Sequence, residues 1–223
     1  MEFQDVVRRR RMVRSFTDEP LTPKQVERVL GNAVRGPSAG FTQGWAFLVL
    51  EEPGDRERFW AATTPTTSAR DLSGWRAGLR RAPLIVVPMA SKQAYLRRYA
   101  ERDKAGARLA TPGAWTPADE ARWPVPYWHV DVGMAALLML QTAVDLGLGA
   151  CFFGIGGPER PAFHAEFGVP EEWEPTGVVA VGHRAQEPGA AGSPARRERK
   201  PLEQVVHRGQ FRATETTGGP SAG

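Results

Sequence analysis

The chain has one cysteine, four lysines, one asparagine, two isoleucines and no apolar run long enough to cross a bilayer, and each shortage removes a class of explanation. A lone Cys151 excludes an intramolecular disulfide, so the fold must be held by its core, and Cys151 itself, between Ala150 and Phe152, reads as a buried thiol. The longest apolar run, residues 134–140, lies between Asp131 and Gln141 and falls well short of the roughly 18 residues of a spanning helix. No membrane association is expected. The N-terminal Met1-Glu2-Phe3-Gln4-Asp5 lacks an apolar signal core, so a cytoplasmic location is expected. His129, His164, His183 and His207 show no metal-ligand spacing, and no Gly-x-Ser-x-Gly elbow marks a hydrolase. Neither a metal ligand nor a dedicated catalytic acid, base or nucleophile is expected.

What is present is arginine. The 29 basic residues are 25 Arg and 4 Lys, set against 25 acids, for a formal charge of +4. A nucleic-acid partner is not expected, because aromatic interleaving and a recognisable nucleic-acid motif are both missing. With 41% hydrophobic residues over 223 positions, the chain can bury a substantial core as one large domain or two small ones.

Hydrophobic spacing sets out the elements. Phe3, Val6, Val7 and Arg10 fall at helical spacing. Thr22-Pro23 reads as an N-cap followed by proline at the first helical position, starting a second helix that stops at Gly36-Pro37. Short continuous apolar runs at 45–50, 83–89, 152–154 and 176–181 predict strands covered on both faces. Helical stretches are expected at 56–62, 72–80, 93–102, 127–146 and 159–167, and this alternation means an α/β or α+β sandwich. Residues 127–146 are apolar nearly all round, which places that helix in a core or at a subunit interface. Residues 106–126 hold four prolines with Trp115 and Trp123, and suit either a lid or a surface loop pinned by its tryptophans.

Two arginine clusters stand out: Arg10-Arg11-Met12-Val13-Arg14-Ser15-Phe16 near one end, and Arg197-Glu198-Arg199-Lys200-Pro201-Leu202 near the other. Between them, Pro37-Ser38-Ala39-Gly40-Phe41-Thr42-Gln43-Gly44-Trp45 is a turn of small residues with free main-chain N–H groups. Guanidinium forks match phosphate oxygens, and small side chains let main chain approach a flat ring. These motifs, with Gly147-Leu148-Gly149-Ala150-Cys151 and Val178-Val179-Ala180-Val181-Gly182-His183, resemble in order and spacing the nitroreductase family of FMN-dependent flavoproteins.

The resemblance implies an α+β fold, an α/β sandwich with a central, mainly antiparallel sheet wrapped by helices, in an intertwined homodimer. It implies a single FMN-binding domain over residues 1–207, followed by a disordered tail over 208–223. FMN would be held by Arg10, Arg11, Met12, Val13 and Arg14, by Pro37, Ser38 and Gly40, by Phe152, Phe153 and Gly154 at a strand end under the ring, and by Arg197 and Arg199 at the phosphate. NADPH or NADH would donate hydride through flavin N5 to a small planar acceptor such as a nitroaromatic, quinone or enone. Phe41, Trp115 and Trp123 are the acceptor-side candidates; ordinary packing is the other reading of Phe41.

Three positions depart from the pattern. Met12 stands where the family commonly has Ser or Thr and cannot donate a hydrogen bond; Gly40-Phe41 replaces the common x-Asn; Gly44 replaces Pro. Other readings are a flavin-binding or storage protein without turnover, or a relative of the flavin-fragmenting or reductive-dehalogenating members.

Overall fold

The computed structural model describes residues 1–65, 73–105, 123–186 and 197–211. Two compact units divide the chain, Met1–Ala190 and Ala191–Gly223. In the first unit the described strands are β1 (Trp45–Leu50), β2 (Leu84–Ala90), β3 (Gly149–Phe153), β4 (Glu174–Pro175) and β5 (Val178–Gly182). They form one sheet in the order β1-β2-β5-β3, with β4 paired to the end of β2, and every strand pair is antiparallel. The expected mainly antiparallel α+β sheet is what the chain forms.

The helices are α1 (Phe3–Arg9), α2 (Pro23–Ala33), α3 (Pro53–Thr63), α4 (Ser73–Arg80), α5 (Lys92–Tyr99), α6 (Arg102–Ala105), α7 (Tyr127–Asp145) and α8 (Arg160–Phe167). Helix α2 begins on a capping box: Thr22 Oγ1 accepts from Gln25 N–H at 3.3 Å while the Gln25 side chain accepts from Thr22 N–H at 2.7 Å. Successive side chains of β2 alternate between two cores, as the period-2 pleat requires. Ile85, Val87 and Met89 join Phe59, Trp60, Phe163 and Cys151 on one face. Leu84 and Val86 join Val29, Ala135, Met139 and Val181 on the other.

Helix α7 crosses this second core. Its Val132, Ala135, Ala136, Met139 and Ala143 are buried, at the i, i+3, i+4, i+7 spacing of one helical face. The opposite face remains apolar yet exposed, at Tyr127, Val130 (42%) and Leu137 (45%). Core and free face therefore coexist on one helix.

Among the boundaries that differ from the sequence expectation, two bear on the site. The third strand begins at Gly149, not Phe152, because Gly149 to Phe153 pair residue by residue with Gly182 to Val178; Gly154 falls beyond it. The helix expected over 93–102 is two pieces, α5 and α6, broken at Ala100 and Glu101. In the second unit the described residues include a short helix α9 (Leu202–Val205) on which Leu202 and Val205 are exposed. Most of the 106–126 segment, through residue 122 and including Trp115, lies outside the described residues.

Candidate functional site

After α1 the chain runs along the free edge of β3. Val13 N–H donates to Ala150 O at 2.9 Å and Met12 bridges Ala150 in parallel. Further on, Thr17 N–H donates to His183 O and Ala185 N–H to Ser15 O, so residues 12–17 extend the sheet. Gly78 of α4 lets this segment lie close: a Cβ there would stand 2.1 Å from Arg14 O. The arginine segment is thus a main-chain fixture wedged between β3 and α4.

The arginines themselves divide. Arg11 Nη1 donates to Arg8 O at 2.5 Å and to Arg10 O at 3.0 Å, so its guanidinium caps the carbonyl end of α1 and offsets the helix dipole there. Arg14 Nη1 donates to Met12 O at 3.1 Å and is half-buried, while Arg10 is half-exposed at the cap position of α1. The thioether of Met12, which cannot donate, accepts: Phe152 N–H lies 3.4 Å from Met12 Sδ. Under it, Cys151 is buried, and burial pushes its thiol up despite the opposing charge of Arg14, so it stays protonated and inert.

The three residues at the end of β3 are therefore not equivalent. Phe152 N–H is taken by Met12. Phe153 pairs with Val178, and its ring stacks on Trp60 at 5.8 Å and meets Trp75 edge-on at 5.4 Å. Gly154 is exposed, and a Cβ there would meet nothing within 4 Å. Open space above an unhindered main chain is what a flat ring needs.

The second group of site residues is the turn at 37–44, whose middle is the short 3-10 turn Ala39–Phe41. Gly40, Phe41 and Gln43 all take the left-handed region, with φ of +63°, +55° and +50°. For residues with a Cβ this costs roughly 1–2 kcal/mol each. Ser38 Oγ accepts from Gln43 N–H at 3.0 Å and Thr42 Oγ1 donates to Ala39 O at 2.6 Å. Gly40 is doubly required: its φ is positive, and a Cβ would come within 3.0 Å of the Tyr99 ring. Phe41 projects outward, 75% exposed.

Side chains that the sequence reading did not assign hold this turn. Asp131 of α7, 4% exposed, accepts from Ala39 N–H at 3.0 Å. Burial raises its carboxyl above the ordinary range, and the Ala39 hydrogen bond opposes that rise. Arg98 of α5 donates from Nε to Gly40 O at 2.9 Å. A carboxylate inside an apolar helix was a signal in the sequence, since such a group needs a partner once buried; Arg98, in the run Arg97-Arg98, carried none.

Behind the turn is an aromatic cluster. Tyr95 stacks on Tyr99 at 5.1 Å, and Trp123 meets Tyr95 and Tyr99 edge-on at 4.9 and 4.7 Å. Trp123 is thereby an anchor of the core rather than a free wall. The Tyr95 phenol is wholly buried, and burial, with the neighbouring Tyr99 hydroxyl, pushes its ionisation far above the ordinary value.

The structure thus forms two groups: Met12, Val13 and Arg14 with the end of β3, and Pro37, Ser38, Gly40 and Phe41 with α5 and α7. Among the described residues no hydrogen bond links them directly. Arg197 and Arg199 lie in the second unit, where both are exposed.

Known proteins resemble this arrangement along nearly its whole length. A family model described as Nitroreductase family matches residues 7–183. An NADH dehydrogenase of Thermus thermophilus is 27% identical over 214 residues, covering 89% of this chain and 91% of its own. An NADPH-dependent oxidoreductase of Staphylococcus aureus is 22% identical over 214 residues, covering 96% of this chain and 75% of its own. Among solved structures, a protein of Desulfovibrio desulfuricans crystallised in complex with FMN superposes with a TM-score of 0.64 at 20% identity, covering 95% of this chain and 99% of that one. The matched residues 7–183 take in both groups of site residues and the five described strands, so the chain belongs to the nitroreductase family.

Proposed function

We propose that the protein is an FMN-dependent oxidoreductase that takes hydride from NADPH or NADH and passes it to a small planar acceptor, a nitroaromatic, quinone or enone. The observation that carries this reading is the seating of Met12, Val13 and Arg14 on the edge of β3, where Val13 N–H donates to Ala150 O and Met12 Sδ accepts from Phe152 N–H, two residues before the exposed Gly154. The donor set fits FMN: cationic donors for a phosphate and a reduced ring, neutral backbone donors for ring nitrogen, and no carboxylate in the arginine segment. A fold neighbour crystallised with FMN and relatives named for NADH and NADPH support the cofactor pair.

When bound, FMN supplies the redox chemistry, accepting a hydride at N5 and giving it up to the acceptor. The chain orients and stabilises. Arg14 would face the pyrimidine edge, where cationic charge favours the reduced ring. Gly154 N–H would be the backbone donor to N5, since Phe152 N–H is engaged by Met12 and Phe153 lies in the ladder with β5. Pro37, Ser38 and Gly40 would line the ring and Phe41 the acceptor space. Arg10, with Arg197 and Arg199 on the strength of their sequence pattern, would bind the phosphate. Arg11 would act there chiefly by its charge, because its Nη1 caps α1.

The same reading includes a homodimer. The exposed apolar residues Val130 and Leu137 on α7, with Phe3 and Val7 on α1, form the surface a second copy would cover. Met139, wholly buried in the chain's own core, belongs to the fold instead.

The test is direct. Purified protein should be yellow, release FMN rather than FAD on heating, and bleach rapidly on anaerobic mixing with NADPH or NADH. Release of another chromophore, or no uptake of added FMN, would refute the reading. Bound FMN that neither nucleotide bleaches would favour storage or a dedicated partner reductase.

A further inference from the structure

The turn carrying Phe41 is strained and yet held from two sides. Gly40, Phe41 and Gln43 share the left-handed region, and the Phe41 ring is exposed, so burial of that ring does not offset the strain. The compensation comes from two different helices acting on consecutive residues: Asp131 of α7 accepts from Ala39 N–H, and Arg98 of α5 donates to Gly40 O. Each grip is itself fixed. Asp131 is buried, and the Arg98 guanidinium is held by both oxygens of Asp103, at 2.7 and 2.6 Å, and by Glu101 at 2.9 Å. The Tyr99 ring fills the space a Cβ on Gly40 would need, which denies the turn another position. A costly backbone conformation persists where its surroundings over-determine it, and such places cluster where a side chain has to be presented in one direction.

We propose that Arg98 and Asp131 are positioning residues that hold Phe41 out as a wall of the acceptor space, and so set which planar acceptors are reduced. This rests on the FMN reading above. An aromatic wall discriminates by ring overlap, so its orientation governs acceptors with two fused rings more than those with one.

The experiment uses the holoenzyme, reduced anaerobically with NADPH or NADH and mixed in a stopped-flow instrument with a one-ring or a two-ring quinone. The quantity read is the ratio of the two flavin reoxidation rate constants. Phe41→Gly should change that ratio by about fivefold, and Arg98→Ala should move it in the same direction. Arg98→Ala placed in the Phe41→Gly background should move it no further, because there is no ring left to position. Asp131→Leu, which removes the acceptor, should shift the ratio, while Asp131→Asn, which keeps an oxygen for Ala39 N–H, should restore it. If Arg98→Ala fails to fold, Arg98→Lys keeps the charge beside Asp103 and Glu101 without the planar fork and should shift the ratio likewise. An unmoved ratio, or an Arg98 effect of equal size with and without Phe41, overturns the positioning role alone. Absence of flavin bleaching by either nucleotide overturns it together with the functional reading beneath it.

Discussion

Residues 12–17 are held by main-chain hydrogen bonds, to Ala150, His183 and Ala185, whereas residues 38–43 are held largely by side chains, those of Asp131, Arg98, Ser38 and Thr42. The first segment follows a strand edge and could carry many sequences; Met12 stands in place of a hydroxyl residue beside the Val13 N–H to Ala150 O bond, and its thioether accepts from Phe152 N–H. The second segment follows no ladder and sits at positive φ, so each of its grips is specific. An edge-pinned segment tolerates substitution but not crowding, whereas the side-chain-pinned turn tolerates neither, since the Tyr99 ring fills the space beside Gly40.

The largest expected effect breaks the first region by crowding. Gly78→Ala should force Arg14 away from α4, lowering stability by about 1–3 kcal/mol and weakening FMN binding. Thermal unfolding with titration of FMN into the apoprotein checks this; a wild-type melting temperature would mean that the segment is free to move. Val13→Ala, by contrast, leaves the hydrogen bond to Ala150 intact and should retain FMN.

Breaking the second region needs the removal of one acceptor. Asp131→Leu leaves Ala39 N–H without its partner and should cost about 1–3 kcal/mol. Its pH dependence sharpens the point. Burial raises the Asp131 carboxyl in the folded chain above its unfolded value, so the unfolded chain releases this proton first as pH rises. The stability this group contributes is full below the ordinary carboxylate range and is lost as pH climbs toward the raised value. Asp131→Asn should therefore gain on wild type as pH rises above the ordinary carboxylate range. Parallel melting curves for the two proteins at acid and neutral pH would show that the carboxyl ionises as freely folded as unfolded.

A smaller effect separates arginines within the first region. Arg14→Ala should weaken FMN binding on the order of tenfold, the equivalent of about 1.4 kcal/mol. Arg11→Ala should weaken it less, because that guanidinium already caps α1. Fluorescence titration of the two variants at one salt concentration decides, and equal losses would place both at the phosphate. The smallest effect is a gain: Phe41→Gly relieves a strained φ but adds freedom to the unfolded chain, for a net stabilisation below about 1 kcal/mol. A clear loss of stability would show that the ring packs against something in solution.

Much of the frame was legible in the sequence. The Thr22-Pro23 start, the apolar runs of β1, β2 and β5, and the long helix α7 all carry local signals of cap, period or burial. The beginning of β3 was not legible, because Gly149-Ala150-Cys151 is a run of small residues whose strand character comes from pairing with β5. The two residues of β4 were invisible for the same reason. The motif residues at 10–14 and 37–45 were legible as a set, but not their inequality: that Arg11 is a cap, or that Phe152 N–H is occupied by Met12.

By itself the sequence determined the class of fold, the family and the two segments from which a flavin site would be built, because these depend on residue type and order along the chain. The tertiary structure decided which groups in those segments are free to act. Asp131 is 92 residues from Ala39, and Arg98 is 58 from Gly40. Hydrogen bonds across such separations exist only after the sheet and its helices have packed, and the left-handed turn they hold has no counterpart in local propensity, which for Phe41 and Gln43 points the other way.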